Sequence, residues 1–219
     1  MRSVKVRVAD VGEVSKRDAI DAEITGRNDP LLGVIFAFNV PIAQDAKEYC
    51  EEKGIKVIES KVIFEMFDEY ERWRREWEER QLELLRRRVV TPCKIQIMPG
   101  FVFRQSKPAI CGVRVLSGEL RPRRDLVNVK GAKVGRVREI QSESKTIEKA
   151  SEGMEVAVSI DGAVIGRNVK EGDELYVDIP QDDAKVISTK LEETLTDSER
   201  ETFKEFLGLR RQEDPFWGL

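Results

Sequence analysis

The stretch EYERWRREWEERQLELLRRR, residues 69–88, constrains the chain most. Nearly every position is a strong helix former, and neither Gly nor Pro interrupts it. Ile63, Phe67, Tyr70, Trp73 or Arg74, and Trp77 recur at steps of three and four, so one narrow apolar stripe runs along a charged cylinder. Opposite charges lie four apart at Glu71–Arg75, Arg72–Glu76, Arg74–Glu78, Arg75–Glu79, Glu76–Arg80 and Glu83–Arg87. Each such pair is worth about 0.2–0.5 kcal/mol. The spacing predicts one helix from near Ser60 or Lys61 to Arg88, roughly 42 Å long at 1.5 Å per residue. A helix polar nearly all round commonly bridges domains through solvent. The other reading, a coiled-coil strand, lacks three clean heptads because the stripe fades after Trp77. Residues 61–90 are expected to form a rigid linker.

The texture differs on the two sides of that linker. Before it, SVKVRVADVG alternates Val4, Val6 and Val8 as a strand does, and SKRDAIDAEI opens with Ser15 and Asp18 spaced as a capping box. GVIFAF is a continuous apolar run, as in a strand buried on both faces, and AQDAKEYCEEKG is a helix stopped by Gly54. With IKVI as a third strand, residues 1–60 predict a small α/β/α sandwich on a parallel sheet. After Thr91-Pro92 come CKIQIMPG, FVFRQ, AICGVRVLSGEL, DLVNVKG, KVGRVREIQ, EVAVSIDG and DELYVDIP. These short alternating runs, divided by Gly, Pro, Asn and Asp, predict an antiparallel β-barrel or sandwich over 91–180. Residues 181–219 turn helical again, with Thr196 capping the second helix, and are expected to pack on the barrel.

The chain has no histidine, which removes the commonest general base. It has no GxxxxGK[ST] phosphate loop, no GxGxxG after a strand, and no zinc-ligand spacing. Cys50, Cys93 and Cys111 form no CxxC pair, as in a cytoplasmic protein with reduced thiols, and no apolar run reaches the length of a membrane span. These absences point to a binding function rather than catalysis, with no catalytic residue, cofactor or metal in this segment.

Charge is the remaining signal. The net charge of −3 names no partner, but Arg114–Arg138 sets eight basic groups against Glu119 and Asp125. Arg114, Arg121, Arg123, Arg124, Lys130, Lys133, Arg136 and Arg138 are candidates for phosphate contacts. Alternate strand residues face opposite ways, so the eight cannot form one patch; the competing reading is solvated charge that guards strand edges. In the C-terminal helices, Leu191, Leu195, Phe203, Phe206, Leu207 and Trp217 exceed what two short helices bury on each other. Part is expected to pack on the barrel. The rest, flanked by Lys190, Lys204, Arg210 and Arg211, is expected to form a shallow groove for an amphipathic, acidic segment.

Several stretches together resemble a known family. VGEVSKRDAIDA, GVIFAFNVPIAQDAKEYCEEKGIKVIESKVIFEMFDEY and the charged helix resemble the third domain and connecting helix of translation initiation factor five B. That factor is the archaeal and eukaryotic counterpart of bacterial initiation factor two. CGVRVLSGELRPRRDLV, GRVREIQ, ASEGMEVAVSI and VKEGDELYV resemble its fourth domain, and more generally the second-domain barrel of translational GTPases. The resemblance implies a parent GTPase that uses GTP and magnesium in domains preceding this segment, and a segment that is itself not an enzyme. It implies a role in ribosomal subunit joining, contact with the acceptor end of initiator methionyl-tRNA, and docking of the C-terminal tail of initiation factor one A. It also implies that the stretch from Lys145 to Val156, with Lys145, Lys149 and Glu155, lies near the aminoacyl end. The alternative is a protein-interaction scaffold that makes no RNA contact.

Overall fold

The computed structural model describes residues 6–218. By contacts these fall into two compact units, divided within the long helix after Gln81.

In the first unit, α1 (Lys16–Gly26) starts where the Asp18 carboxylate accepts both the Ser15 N–H at 2.8 Å and the Ser15 hydroxyl at 2.7 Å. Those two bonds, the backbone one first, hold the Asp18 carboxyl below its ordinary pKa. A short 3₁₀ turn leads to β1 (Ile35–Phe38), then α2 (Gln44–Lys53) and β2 (Val57–Ser60). The two strands pair in parallel, Ile35 opposite Val57 and Phe38 opposite Ser60. Gly54, at φ +67°, ends α2 as its sequence position predicts. Val4 of the expected first strand lies outside the described residues, while Val6 and Val8 are exposed and in no strand. Nor is β1 buried on both faces: Ala37 is buried but Phe38 is about half exposed, because in a two-stranded sheet each strand is an edge.

The predicted linker is α3 (Ile63–Arg88), 26 unbroken residues. Met66 and Tyr70 are buried with Ile58, and Phe36 and Trp73 lie against Tyr70 at ring separations of 5.5 and 6.0 Å. The packed face is therefore Met66–Tyr70–Trp73; Ile63 and Phe67, which the stripe assigned inward, are exposed. Of the charge pairs expected four apart, Arg74–Glu78 at 3.7 Å and Glu83–Arg87 at 2.5 Å form, and Arg74 also reaches back to Glu71 at 2.7 Å. Arg72, Arg75, Glu76, Glu79 and Arg80 are exposed and form no ion pair among the described residues.

In the second unit the chain runs through β3 (Cys93–Arg104), β4 (Ala109–Leu120), β5 (Asp125–Asn128) and β6 (Lys133–Ser142). It continues with β7 (Lys145–Ile147), β8 (Ala150–Ser151), β9 (Glu155–Asp161) and β10 (Glu174–Val177). Six of these close a ring in the order β3-β10-β5-β6-β9-β4, all pairs antiparallel, with β3 and β4 completing it. CKIQIMPG and FVFRQ are one bulged strand rather than two. The interior alternates as the sequence does: Ile95 and Ile97, Val113 and Val115, Val156, Val158 and Ile160 all point into one core.

The C-terminal segment begins with α4 (Gln181–Val186), continues through a π turn (Ile187–Leu191) and a 3₁₀ turn, and ends in α5 (Asp197–Glu213). Thr196 caps α5 as expected: its hydroxyl accepts the Glu199 N–H at 3.2 Å, and Glu199 accepts the Thr196 N–H at 3.0 Å. Ala184, Ile187, Leu191, Leu195, Phe203 and Phe206 join the barrel core, as do Val89 and Val90 after α3. Leu82 and Leu85, on the last turns of α3, pack against the same core. The α/β unit, long helix, barrel and C-terminal helices thus form as the fold class predicts.

Candidate nucleic-acid and partner interfaces

Five of the basic candidates on the barrel fall into three groups, each built around a carboxylate. On the strand pair β4–β9, Arg114 lies opposite Glu155 and donates to it at 2.9 Å from Nε. At the end of β4, Arg121 and Lys149 converge on Glu119 at 2.9 and 2.6 Å. Lys149 chiefly, then Arg121, holds the Glu119 carboxyl below its usual range. On β5–β6, Arg136 forks onto Asp125 at 3.1 and 2.7 Å, and Lys133 adds a third contact at 3.3 Å. Arg136 chiefly lowers the Asp125 pKa.

Arg123, Arg124, Arg138 and Lys145 carry no carboxylate within 4 Å among the described residues. Arg123 takes φ +64° in the turn between β4 and β5, and its N–H donates to Val137 O at 2.7 Å. The Arg124 carbonyl accepts the Val137 N–H at 2.8 Å, which puts the turn against β6 beside Arg138. Arg124 is half-buried; burial, and then Arg121 nearby, pull its pKa down against the opposing pull of Asp183. A partly desolvated guanidinium without a fixed partner is a ready acceptor of an incoming anion. Lys145 sits on the β6–β7 hairpin opposite Ser142.

The C-terminal candidates divide differently from expectation. Leu191, Leu195, Phe203 and Phe206 are each 5% exposed or less, so they belong to the core and cannot floor an open groove. Leu207 and Trp217 are half-buried; Trp217 stands edge-on over Phe206 at 5.6 Å and closes it from outside. Arg210 is committed to Asp178 and lies 5.5 Å over the Phe206 ring. Lys190 and Lys204 are exposed with no ion pair among the described residues, and Arg211 donates to the Trp217 carbonyl at 3.1 Å. What remains for a partner is a shallow strip with Leu207 and Trp217 on it and Lys204 beside it.

Among the described residues no cluster of three or more His, Cys, Asp or Glu could hold a metal ion, and no helix is long and apolar enough to cross a membrane. All three cysteines are buried as free thiols, and burial raises the pKa of each, that of Cys111 to about 11.

Phe101 and Phe103 escaped the sequence reading. They flank Val102, which packs against the core, and both rings are exposed, 50% and 65%.

Comparison with known proteins matches these parts separately. Residues 91–176 match the family described as Elongation factor Tu domain 4, and residues 2–71 match Translation-initiation factor 2. A probable translation initiation factor IF-2 from Methanosarcina mazei is 42% identical over 214 residues, covering 98% of this chain. One from Ignicoccus hospitalis is 39% identical over 219 residues. The chain spans 36% of the length of each of these relatives. A crystal structure of GDP-bound aIF5B from Aeropyrum pernix aligns with 98% of this chain and 36% of its own, at 36% identity and a TM-score of 0.60. A barrel and an α/β unit joined by one charged helix are matched along nearly the whole chain by such factors: the chain belongs to the translation initiation factor IF-2/aIF5B family.

Proposed function

We propose that this chain is the RNA- and factor-binding part of an initiation factor whose remaining domains bind GTP and magnesium and hydrolyse GTP on the ribosome. In that role it supports joining of the ribosomal subunits. Its barrel contacts the acceptor end of initiator methionyl-tRNA, and its C-terminal helices take the tail of initiation factor one A. The domain assignment follows: the α/β unit corresponds to the family's third domain, residues 61–90 to the connecting helix, and the barrel with its helices to the fourth domain.

The observation that carries the RNA reading is the turn after β4. Arg123 and Arg124 stand there with no carboxylate partner among the described residues, near Arg138 and near the Glu119-paired Arg121 and Lys149. The test is binding of initiator tRNA across a salt series. Arg121→Glu, Arg123→Glu and Arg124→Glu together should weaken binding and flatten the salt slope by about 2–3. Affinity that ignores salt overturns this reading.

A specific observation favours the scaffold alternative. Arg114, Arg121, Lys133, Arg136 and Lys149 are each held by a neighbouring carboxylate, so much of the basic stretch is neutralised internally. Isotope-edited NMR of the chain titrated with the factor-one-A tail peptide examines the protein arm. Shifts at Lys204, Leu207 and Trp217 are expected; shifts confined to the barrel strands overturn the helix assignment. Removing residues 196–219 does not test this arm cleanly, because it would strip Phe203 and Phe206 from the barrel core.

A further inference from the structure

We infer that the outward face of β3 at Phe101 and Phe103 is a stacking platform for unpaired RNA bases. The inference deepens the RNA reading above and rests on it for the class of ligand, but it concerns different residues on a different part of the barrel.

The platform is built by a bulge. Between Ile97 and Val102 the β3–β4 register slips, and Gly100 takes φ +79° at the bend. The Gly100 N–H is held by the Glu171 carboxylate at 2.6 Å, which fixes the bend against the loop after β9. Phe101 then lies across Gly112 of β4: a Cβ on Gly112 would come within 2.8 Å of the Phe101 Cβ. Absence of that side chain lets the ring rest on the β4 backbone beside Met98, with its other side half exposed. Phe103 follows at a second register shift, between Val102 and Arg104, and its ring is 65% exposed. Each exposed ring offers a face to one base of an extended single strand.

The charge around the rings favours a polyanion over an apolar protein surface. Arg104 and Lys107 follow Phe103 directly, and Arg167 and Lys170 come from the adjoining loop. That loop is tied to the hairpin by the Ser106–Val164 bridge and by the Ile165 N–H on Gln105 O at 2.9 Å. All four cations are exposed and form no ion pair among the described residues. The neighbouring Glu171 and Asp173 are turned onto backbone N–H groups instead, of Gly100 and of Lys170 at 2.7 Å. Exposed aromatic faces interleaved with uncommitted cations are what sequence-tolerant single-strand binding requires.

The test uses the whole chain and three probes: a short single-stranded RNA, an acceptor-stem minihelix with an unpaired 3′ tail, and the same minihelix blunt-ended. Phe101→Ala with Phe103→Ala should lower affinity for the two probes with unpaired bases by about tenfold or more. It should leave the blunt minihelix and the salt slope unchanged. Arg104→Ala with Lys107→Ala keeps the rings and should flatten the salt slope for the single strand by about two. An unchanged affinity of the Phe variant for the single strand overturns the platform, whatever happens at Arg121–Arg124. Loss through the Phe pair with no effect of the triple arginine reversal keeps the platform and sinks the phosphate assignment in the turn. Absence of binding to every RNA, with a peptide or protein captured through Phe101 and Phe103 instead, overturns both.

Discussion

Gly118 has no room for a side chain. It sits opposite Cys93 at φ +72°, and a Cβ there would fall 2.1 Å from the Pro92 carbonyl oxygen. Gly118→Ala is expected to destabilise the second unit by more than about 3 kcal/mol, combining backbone strain with a clash no rotamer relieves. Urea denaturation of the whole chain measures it. The same scale governs acid behaviour. Asp125 and Glu119 have folded pKa values depressed by Arg136 and by Lys149 respectively. Their contribution is therefore present above the unfolded carboxylate values and lost as pH falls through the folded ones. Replacing Lys149 and Arg121 by Ala should lower the melting temperature slightly at pH 7, and the difference should shrink as falling pH protonates Glu119 in the folded protein. A difference that persists in acid would assign the effect to packing of the two stems. At this scale the sequence was only half legible. It marked Arg121 and Lys149 as basic, but their shared partner Glu119 depends on β4 meeting β8 across a register no local pattern announces.

Among the elements, the ones with strong periodicity were readable and the ones held by tertiary contacts were not. The Thr196–Glu199 capping box fixed the start of α5, and the alternating valines fixed β4, β6 and β9. The two-residue β8, the β7 hairpin arm and the π turn at Ile187–Leu191 have no such signature. They exist because neighbouring strands and the barrel core select them. The inward faces of α4 and α5 were ambiguous for the same reason: apolar side chains at helical spacing look alike whether they meet a barrel or a partner. One contact joins two elements outright. Arg86, on the last turn of α3, donates to the Glu199 carboxylate at 2.5 Å and to Thr194 O at 3.0 Å, and Glu199 is only 3% exposed. Glu199→Ala should cost about 2–3 kcal/mol, since it removes half a capping box and strands a partly buried guanidinium. Glu199→Gln, which keeps the cap, should recover a measurable part of the loss.

For the molecule as a whole, the division between units falls at Gln81 and Leu82, inside an uninterrupted helix. Two glycines inserted after Gln81 should break the helical register there while leaving both units folded. Amide exchange is expected to accelerate across residues 77–86 only; loss of protection in β1, β2 or the barrel strands would mean that one unit depends on helix continuity. Unit composition was legible from texture alone, since strand-rich and helix-rich stretches differ in period. The assignment of Leu82 and Leu85 to the barrel's side was not, because their apolar stripe is only half a heptad long.

The Arg86–Glu199 pair carries a hereditary consequence. Its members are 113 positions apart, yet neither is comfortable without the other. Losing Arg86 leaves an enclosed carboxylate, and losing Glu199 leaves both a stranded cation and an uncapped helix. Single replacements at either site should therefore be filtered out among descendants, and tolerated changes should arrive as pairs. Across related sequences the two positions are expected to vary in concert, an arginine at one predicting an acid at the other.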